Sequence, residues 1–368
     1  MILMIYFDNA ATTKMSAAAL KSYREVAENF YGNSESLHFF GNQSNSLVDE
    51  SRQTIAKLFN VIPDGLIFTS GGTESNQVGI STLAKVGGKK NEILVSPLEH
   101  SSVYQILDKF EADKKAHIRF LPVDSAGKVT PTILKKNISS KTALIIIQAV
   151  NSIVGIVQDI KSLKTIASEN KIPLFVDTVQ ATAKIPIDFS NLAGFSCSAH
   201  KFNGPKSCGL LFLSPNALTV PQYNNVFQQN GFLPGTLDVP SIVSMTTALQ
   251  EAYPKIDANY SYLKGLQTRL EKNISREIKV IHGAYPGICG LMLPQVQAQE
   301  AVTTMGQSGF CFSTVSACSI KDPRPNRSLL SLGLSAEETK RYIRLSFSPS
   351  NTPAEIDLFA ETLNEMYG

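Results

Sequence analysis

Three short segments of this sequence end an apolar run on residues with chemical reach. In Phe68-Thr69-Ser70-Gly71-Gly72-Thr73-Glu74-Ser75-Asn76, two glycines turn the chain from an apolar run into a helical pattern. Glycines let a backbone approach a phosphate, and a new helix offers free N–H groups and the positive end of its dipole. The Thr73 hydroxyl adds a donor; an ordinary turn capped by Thr73 is the alternative. The spacing matches neither the P-loop nor the dinucleotide fingerprint, which disfavours nucleotide binding. Asp177, in Phe175-Val176-Asp177-Thr178-Val179-Gln180, sits at the end of an apolar strand, where ligands of open α/β sheets bind. It suits a protonated ring nitrogen, with Gln180 in reach of another polar atom; a helix cap is the alternative. Lys201, in Ser196-Cys197-Ser198-Ala199-His200-Lys201-Phe202-Asn203-Gly204-Pro205, follows a third apolar run. A desolvated lysine there can form a Schiff base, while a lysine met alone belongs to a solvated loop. Taken together, an acid for a pyridine nitrogen, an amine for an aldehyde and a turn for a phosphate are the parts of a pyridoxal-phosphate (PLP) site.

Further residues could join them. Cys318 lies among small polar residues ahead of Lys321-Asp322-Pro323-Arg324-Pro325, and an exposed thiol near cations is partly thiolate. Cys197, Cys208, Cys289 and Cys311 lie in apolar or strand contexts and are expected to pack in the core. His100 could stack on a flat ring and move protons, or could serve as a cap. Arg344, in Tyr342-Ile343-Arg344-Leu345-Ser346-Phe347, is a charge inside an apolar strand and needs an anion, either a substrate carboxylate or a structural acid.

These residues need a scaffold. Seven strand candidates, near residues 66–69, 92–96, 116–120, 143–147, 173–177, 195–198 and 209–213, alternate with helical patterns such as 44–59, 73–84, 101–109 and 160–170. Apolar strands separated by helices predict an α/β fold with a mostly parallel seven-stranded sheet covered on both faces. From about Ala248 the pattern changes to a long helix over 253–273, then strands, a Pro- and Arg-rich loop and a final helix from Pro353, which predicts a smaller α+β domain. The expected division is 14–250 for the large domain, with 1–13 and 251–368 forming the small one. The chain has 368 residues, 43% of them apolar, and a formal charge of +3, which gives no electrostatic case for nucleic acid or an anionic membrane. No apolar run approaches the roughly 20 residues of a membrane span, and the apolar start at Met1–Phe7 reads as a strand. Five cysteines without a Cys-x-x-Cys pair argue against a disulfide framework or a metal site and fit a reducing cytoplasm.

The sequence resembles the cysteine desulfurases (NifS- and IscS-like) of the class V aminotransferase group, which are fold-type I PLP enzymes. The motifs that carry the resemblance run from Tyr6-Phe7-Asp8-Asn9-Ala10-Ala11-Thr12-Thr13, through Tyr31-Gly32-Asn33 with Leu37-His38, the Gly-Gly-Thr turn and Glu99-His100, to Gly155-Ile156-Val157-Gln158-Asp159-Ile160. Val176-Asp177 with Gln180, Ser198 with His200-Lys201, Gly204-Pro205-Lys206, Ser316-Ala317-Cys318 and Ile343-Arg344 continue it in family order. The resemblance implies a homodimer that binds PLP and L-cysteine. It implies Lys201 as the Schiff-base lysine and proton carrier, Asp177 on the ring nitrogen, Gln180 on the ring oxygen and His100 stacked on the ring. Gly72, Thr73, Ser198 and His200 fall at the phosphate, joined by Thr236 of a second subunit. Arg344, Asn151 and Asn33 fall at the substrate, and Cys318 carries the sulfur as a persulfide to an acceptor protein. Iron–sulfur cluster assembly is the expected use.

The sequence also departs from the family. Asn151-Ser152-Ile153-Val154-Gly155 stands where the family has Asn-Asn-Glu-x-Gly, so Ser152 replaces an asparagine at the ring oxygen. Leu233, before Pro234-Gly235-Thr236, replaces an arginine, and Ala199 replaces a glycine. A selenocysteine lyase, or another class V enzyme, is one alternative. A low-turnover PLP-binding interaction subunit is another, supported by Ser152 and Leu233 and opposed by Lys201. Retention of Cys318 favours the desulfurase.

Overall fold

The computed structural model describes residues 4–86, 90–215, 221–223, 225–315 and 325–368. Its centre is a seven-stranded sheet of β2 (Leu66–Thr69), β3 (Glu92–Val95), β4 (His117–Phe120), β5 (Thr142–Gln148), β6 (Leu174–Asp177), β7 (Gly194–Ser198) and β8 (Gly209–Leu213). The order across the sheet is β2-β8-β7-β6-β5-β3-β4. The contacts from β4 to β7 are parallel, and β8 runs antiparallel to both of its neighbours. Two reversals restore direction, so β2 ends at the same edge as the parallel strands. All seven residues of β5 are buried, which explains an apolar run, Ala143 to Ile147, with no alternation.

The sequence-predicted seven-stranded, mostly parallel sheet is what the structure contains. Helices α1 (Ala17–Asn29), α2 (Phe39–Phe59), α3 (Gly72–Val86), α4 (Ser101–Ala112), α5 (Pro131–Asn137), α6 (Ile160–Glu169) and α7 (Val239–Ala252) accompany it. Their starts follow capping chemistry: Ser16, Thr130, Asp159 and Asp238 each accept a backbone N–H from the first turn of their helix. Asn60, in the left-handed region at φ 55°, stops α2.

The later part of the chain adds α8 (Ile256–Asn273), β9 (Lys279–Ile281), β10 (Ile288–Met292), α9 (Ala298–Gln307), β11 (Phe310–Cys311), α10 (Arg327–Ser331), α11 (Ala336–Thr339), β12 (Tyr342–Ser346) and α12 (Pro353–Tyr367). The helix expected to start at Tyr253 begins at Ile256, after a 3-10 turn over Tyr253–Lys255, because Pro254 cannot donate within a helix. β9, β10 and β12 form an antiparallel sheet. The strand β1 (Ile5–Tyr6) pairs in parallel with β11, and Asp8 bridges to Ser346 at the end of β12. The earliest residues of the chain thus rest on its latest strands. No helix of the described residues is long and apolar enough to cross a membrane.

Candidate active site

The ends of β2, β3, β5, β6 and β7 meet at one edge of the large sheet, and the segment after each contributes to one cavity of about 200 Å³. Its lining includes Gly72 and Thr73 after β2, His100 after β3, Ser152 after β5, Asp177 and Gln180 at the end of β6, and Ser198, His200 and Lys201 around the end of β7. Ala10 and Ala11 from the N-terminal segment and Arg344 from β12 close it. Ten residues singled out from the sequence therefore share one space.

Asp177 is 1% exposed and is held from two sides. Asn76 Nδ2 donates to Oδ2 at 2.9 Å, and the Val179 N–H donates to Oδ1 at 3.0 Å. Asn76 is fixed in turn, because Ser196 Oγ donates to its Oδ1 at 2.6 Å and its Nδ2 also reaches Ser102 Oγ. Ser102 continues the net to His100 Nδ1 at 2.8 Å. His100 also caps α4, its Nδ1 accepting the Ser102 N–H, so the ring proton of the neutral form sits on Nε2. Burial lowers the His100 pKa, Asp177 opposes that shift and Lys201 reinforces it. His100 thus caps α4 and lines the cavity at once. Asn76, which the sequence reading passed over as part of a turn motif, is the hub of this net. The signal for it was positional: it lies one helical turn past Gly72, facing the sheet edge.

The opposite end of the cavity is a donor corner. Gly71 and Gly72 lead into α3, whose first-turn N–H groups have no carbonyl ahead of them. A Cβ on Gly72 would come within 2.6 Å of Val179, so only glycine allows this approach. Thr73, Ser198 and His200 flank the corner, which opens outward past Lys206. His200 Nδ1 meets Thr12 Oγ1 at 3.0 Å, and burial first, then the charges of Lys201, Lys184 and Lys206, lower its pKa to about 4.

Lys201 lies in a 3-10 turn directly after β7, and its Nζ donates to the carbonyls of Ala10 at 2.8 Å and Ala11 at 2.7 Å. Gln180 Nε2 donates to the same Ala10 oxygen at 2.8 Å. Arg344, 2% exposed, donates to Asp8 Oδ1 at 2.8 Å and to the Ser152 carbonyl at 3.0 Å, while its buried Nε has no acceptor among the described residues. Asp8 is a second residue the sequence reading did not assign to the site. Its place beside Arg344 depends on a contact between residues 336 positions apart.

Three of the predicted site residues that the structure describes lie elsewhere. Asn151 is buried but does not line the cavity: Nδ2 donates to Leu98 O at 3.0 Å and Ser328 Oγ at 3.2 Å, and Oδ1 accepts from Ile153 N and Val154 N. In this structure Asn151 shapes the turn that carries Ser152. Asn33 and Thr236 are exposed and away from the cavity. Cys318 lies outside the described residues. Cys197, Cys208 and Cys289 are buried, as expected for packing thiols, with burial pushing Cys197 up to about 12. Cys311 is half-buried, on a two-residue strand that among the described residues pairs only with β1.

Asp177 at one end, a glycine-built helix start with Thr73, Ser198 and His200 at the other, and an amine on the wall make a donor and acceptor set that fits PLP. The chain matches the family model Aminotransferase class-V over residues 5–359. It is 30% identical over 375 residues to the putative cysteine desulfurase NifS of Bacillus subtilis, covering 99% of this chain and 95% of that one. It is 29% identical over 369 residues to the putative cysteine desulfurase NifS of Halalkalibacterium halodurans, covering 99% and 98%. Among solved structures, a NifS-like protein superposes with a TM-score of 0.90 at 27% identity over 99% of both chains. With a family model spanning nearly all of its length and desulfurase relatives matched end to end, the chain belongs to the class V aminotransferases, in their NifS/IscS-like cysteine desulfurase group, a PLP-dependent family.

Proposed function

We propose that this chain binds PLP in the cavity and transfers the sulfur of L-cysteine to Cys318, releasing L-alanine. The observation that carries the reading is that Asp177, Lys201 and the Gly72–Thr73 helix start, distant in sequence, line one cavity. Asp177, fixed by Asn76 and the Val179 N–H, would hold a protonated ring nitrogen. The first turn of α3, with Thr73, Ser198 and His200, would hold the phosphate, and the low pKa of His200 rises toward an anion placed there. Gln180 and Ser152 would meet the ring oxygen, and the His100 ring would lie on the cofactor face. When bound, PLP supplies an electron sink that lowers the cost of removing the Cα proton of an amino acid.

The chain's own groups do the rest. The Lys201 amine tethers the cofactor and moves the Cα proton. Arg344, whose buried Nε–H has no acceptor among the described residues, takes the substrate carboxylate. The Cys318 thiolate forms an S–S bond to the substrate sulfur as the substrate's C–S bond breaks, which leaves alanine and a persulfide. An acceptor protein, for iron–sulfur cluster assembly, then takes the sulfur. Asn33 and Thr236, exposed and outside this cavity, suit the site of a second subunit in a homodimer. The free thiols of the described cysteines support a cytoplasmic location.

The test measures alanine released from cysteine by the PLP-loaded protein and by Cys318→Ser. Alanine from the wild type and loss of persulfide and turnover in the variant are expected. Wild-type sulfur release by Cys318→Ser removes the persulfide role, and far better processing of selenocysteine moves the assignment to a lyase.

A further inference from the structure

Lys184 is a titratable group with no part in the reaction as described above. It follows Gln180 in a series of turns after β6, and the residue before it, Ala183, holds φ at 60°, a left-handed conformation that costs a residue with a Cβ. The turn brings Lys184 Nζ back to Gln180 Oε1, to which it donates at 2.6 Å. Its amine also faces the Tyr285 ring, 6.0 Å from the centroid. Among the described residues it makes no ion pair.

The far end of the same amide continues the line. Gln180 Nε2 donates to the Ala10 carbonyl, which also accepts from Lys201 Nζ. Two lysines are therefore joined through one carboxamide and one carbonyl. Lys184 lines a smaller cavity of about 70 Å³, and Ala10, Gln180 and Lys201 line both this cavity and the larger one. Lys201 stands in the partition, with Lys184 behind it.

A carboxamide has one accepting and one donating end of similar size, and an ammonium can only donate. Lys184 therefore commits Gln180 to present its amino end on the other side. A positive charge behind Lys201 also disfavours a second one on Lys201. We propose that Lys184 is a positioning residue of the reaction, which fixes the Gln180 amide with its donor end forward and biases Lys201 toward the proton-accepting form. The proposal rests on the reading of the larger cavity as a PLP site. Burial, with the charges of Lys201 and Arg344, lowers Lys184 itself to about 7. The other groups that face this pair are His100 beside Lys201, His200 beside both lysines, with Lys206 beyond it, Arg344 beside Lys184 and the Tyr285 ring. The carboxyl groups of the site are held elsewhere, Asp177 by Asn76 and Asp8 by Arg344.

The test compares PLP-loaded wild type, Lys184→Met and Lys184→Arg. The pH midpoint of the visible absorption band is read across neutrality, with cofactor content and Tm recorded alongside. Lys184→Met is expected to raise the midpoint by about one pH unit and to lower kcat with little change in KM. Lys184→Arg, which keeps a charge and a donor, is expected to return most of both. A methionine variant that loads PLP fully and keeps the wild-type midpoint overturns the proposal. If that variant fails to fold, Lys184→Gln is read against the same two outcomes. A wild type with no visible band after PLP is added overturns the underlying reading and the proposal with it, and is distinguished from a wild type that has the band and variants that leave its midpoint unmoved.

Discussion

On the wall of the cavity supplied by the parallel sheet, Asp177, Asn76, Ser196, Ser102 and His100 form one hydrogen-bonded net. On the facing wall, supplied by residues 8–11 and β12, Lys201 rests on two carbonyls and Arg344 on one carbonyl and one carboxyl group. On the first wall, each member of the net finds a partner within the protein. The second leaves a buried guanidinium N–H without an acceptor among the described residues and holds its charges with bonds that an incoming ligand can replace. A closed net suits a resident group held in one orientation. An open one suits molecules that enter and leave.

The contrast is broken most severely from the net side. Asp177→Ala is expected to lower kcat/KM by on the order of 100-fold or more, whereas Asn76→Ala, which leaves buried Asp177 and Ser196 short of partners, is expected to cost about 1–3 kcal/mol in stability and to weaken PLP retention. Steady-state kinetics and denaturant titration check both. On the facing wall, Asp8→Asn removes the anion that competes with substrate for Arg344. We expect a several-fold lower KM for cysteine together with a loss of about 2 kcal/mol, because Arg344 is left less well paired; an unchanged KM would mean that Asp8 does not compete.

The smallest effect concerns the donor corner. The folded pKa of His200, about 4, lies below the ordinary histidine value, so between that value and about 4 the unfolded chain binds more protons and stability falls as pH falls. His200→Gln is expected to remove at most about 2 kcal/mol of this acid loss in PLP-free protein, after allowance for partial exposure. Chemical denaturation at neutral and acid pH reads the difference, and equal acid sensitivity of both proteins would sink the claim.

The sheet was legible because its strands are buried on both faces and read as unbroken apolar runs, such as Ala143 to Ile147. The residues at the strand ends were legible for the same reason: Asp177, Ser198 and Lys201 each interrupt or end such a run. Helices α1, α5 and α7 were not singled out: α1 buries only Ala19 and Val26, α5 is seven residues long, and α7 carries an apolar character too even to show a stripe. Asn76, Asp8 and Lys184 were not legible as site residues. Each acts through a neighbour brought close only by folding: Asn76 lies 101 positions from Asp177, and Asp8 lies 336 from Arg344. Lys184, four residues from Gln180, was within reach of a local reading, but nothing local shows that the turn at Ala183 folds it back.

The pairing of β1 with β11 bears on how the protein is made. Ile5 sits against Phe310, and Asn9 donates to the carbonyl of Ser346. The carbonyls that receive the Lys201 amine, at Ala10 and Ala11, belong to a segment made 336 residues before Ser346, to which Ala10 donates, and are among the last to reach their places. Until β12 has been translated they lack the strand they lie on, so a nascent chain long enough to contain every residue of the seven-stranded sheet still has an unfinished floor, and cofactor loading is deferred until β12 arrives.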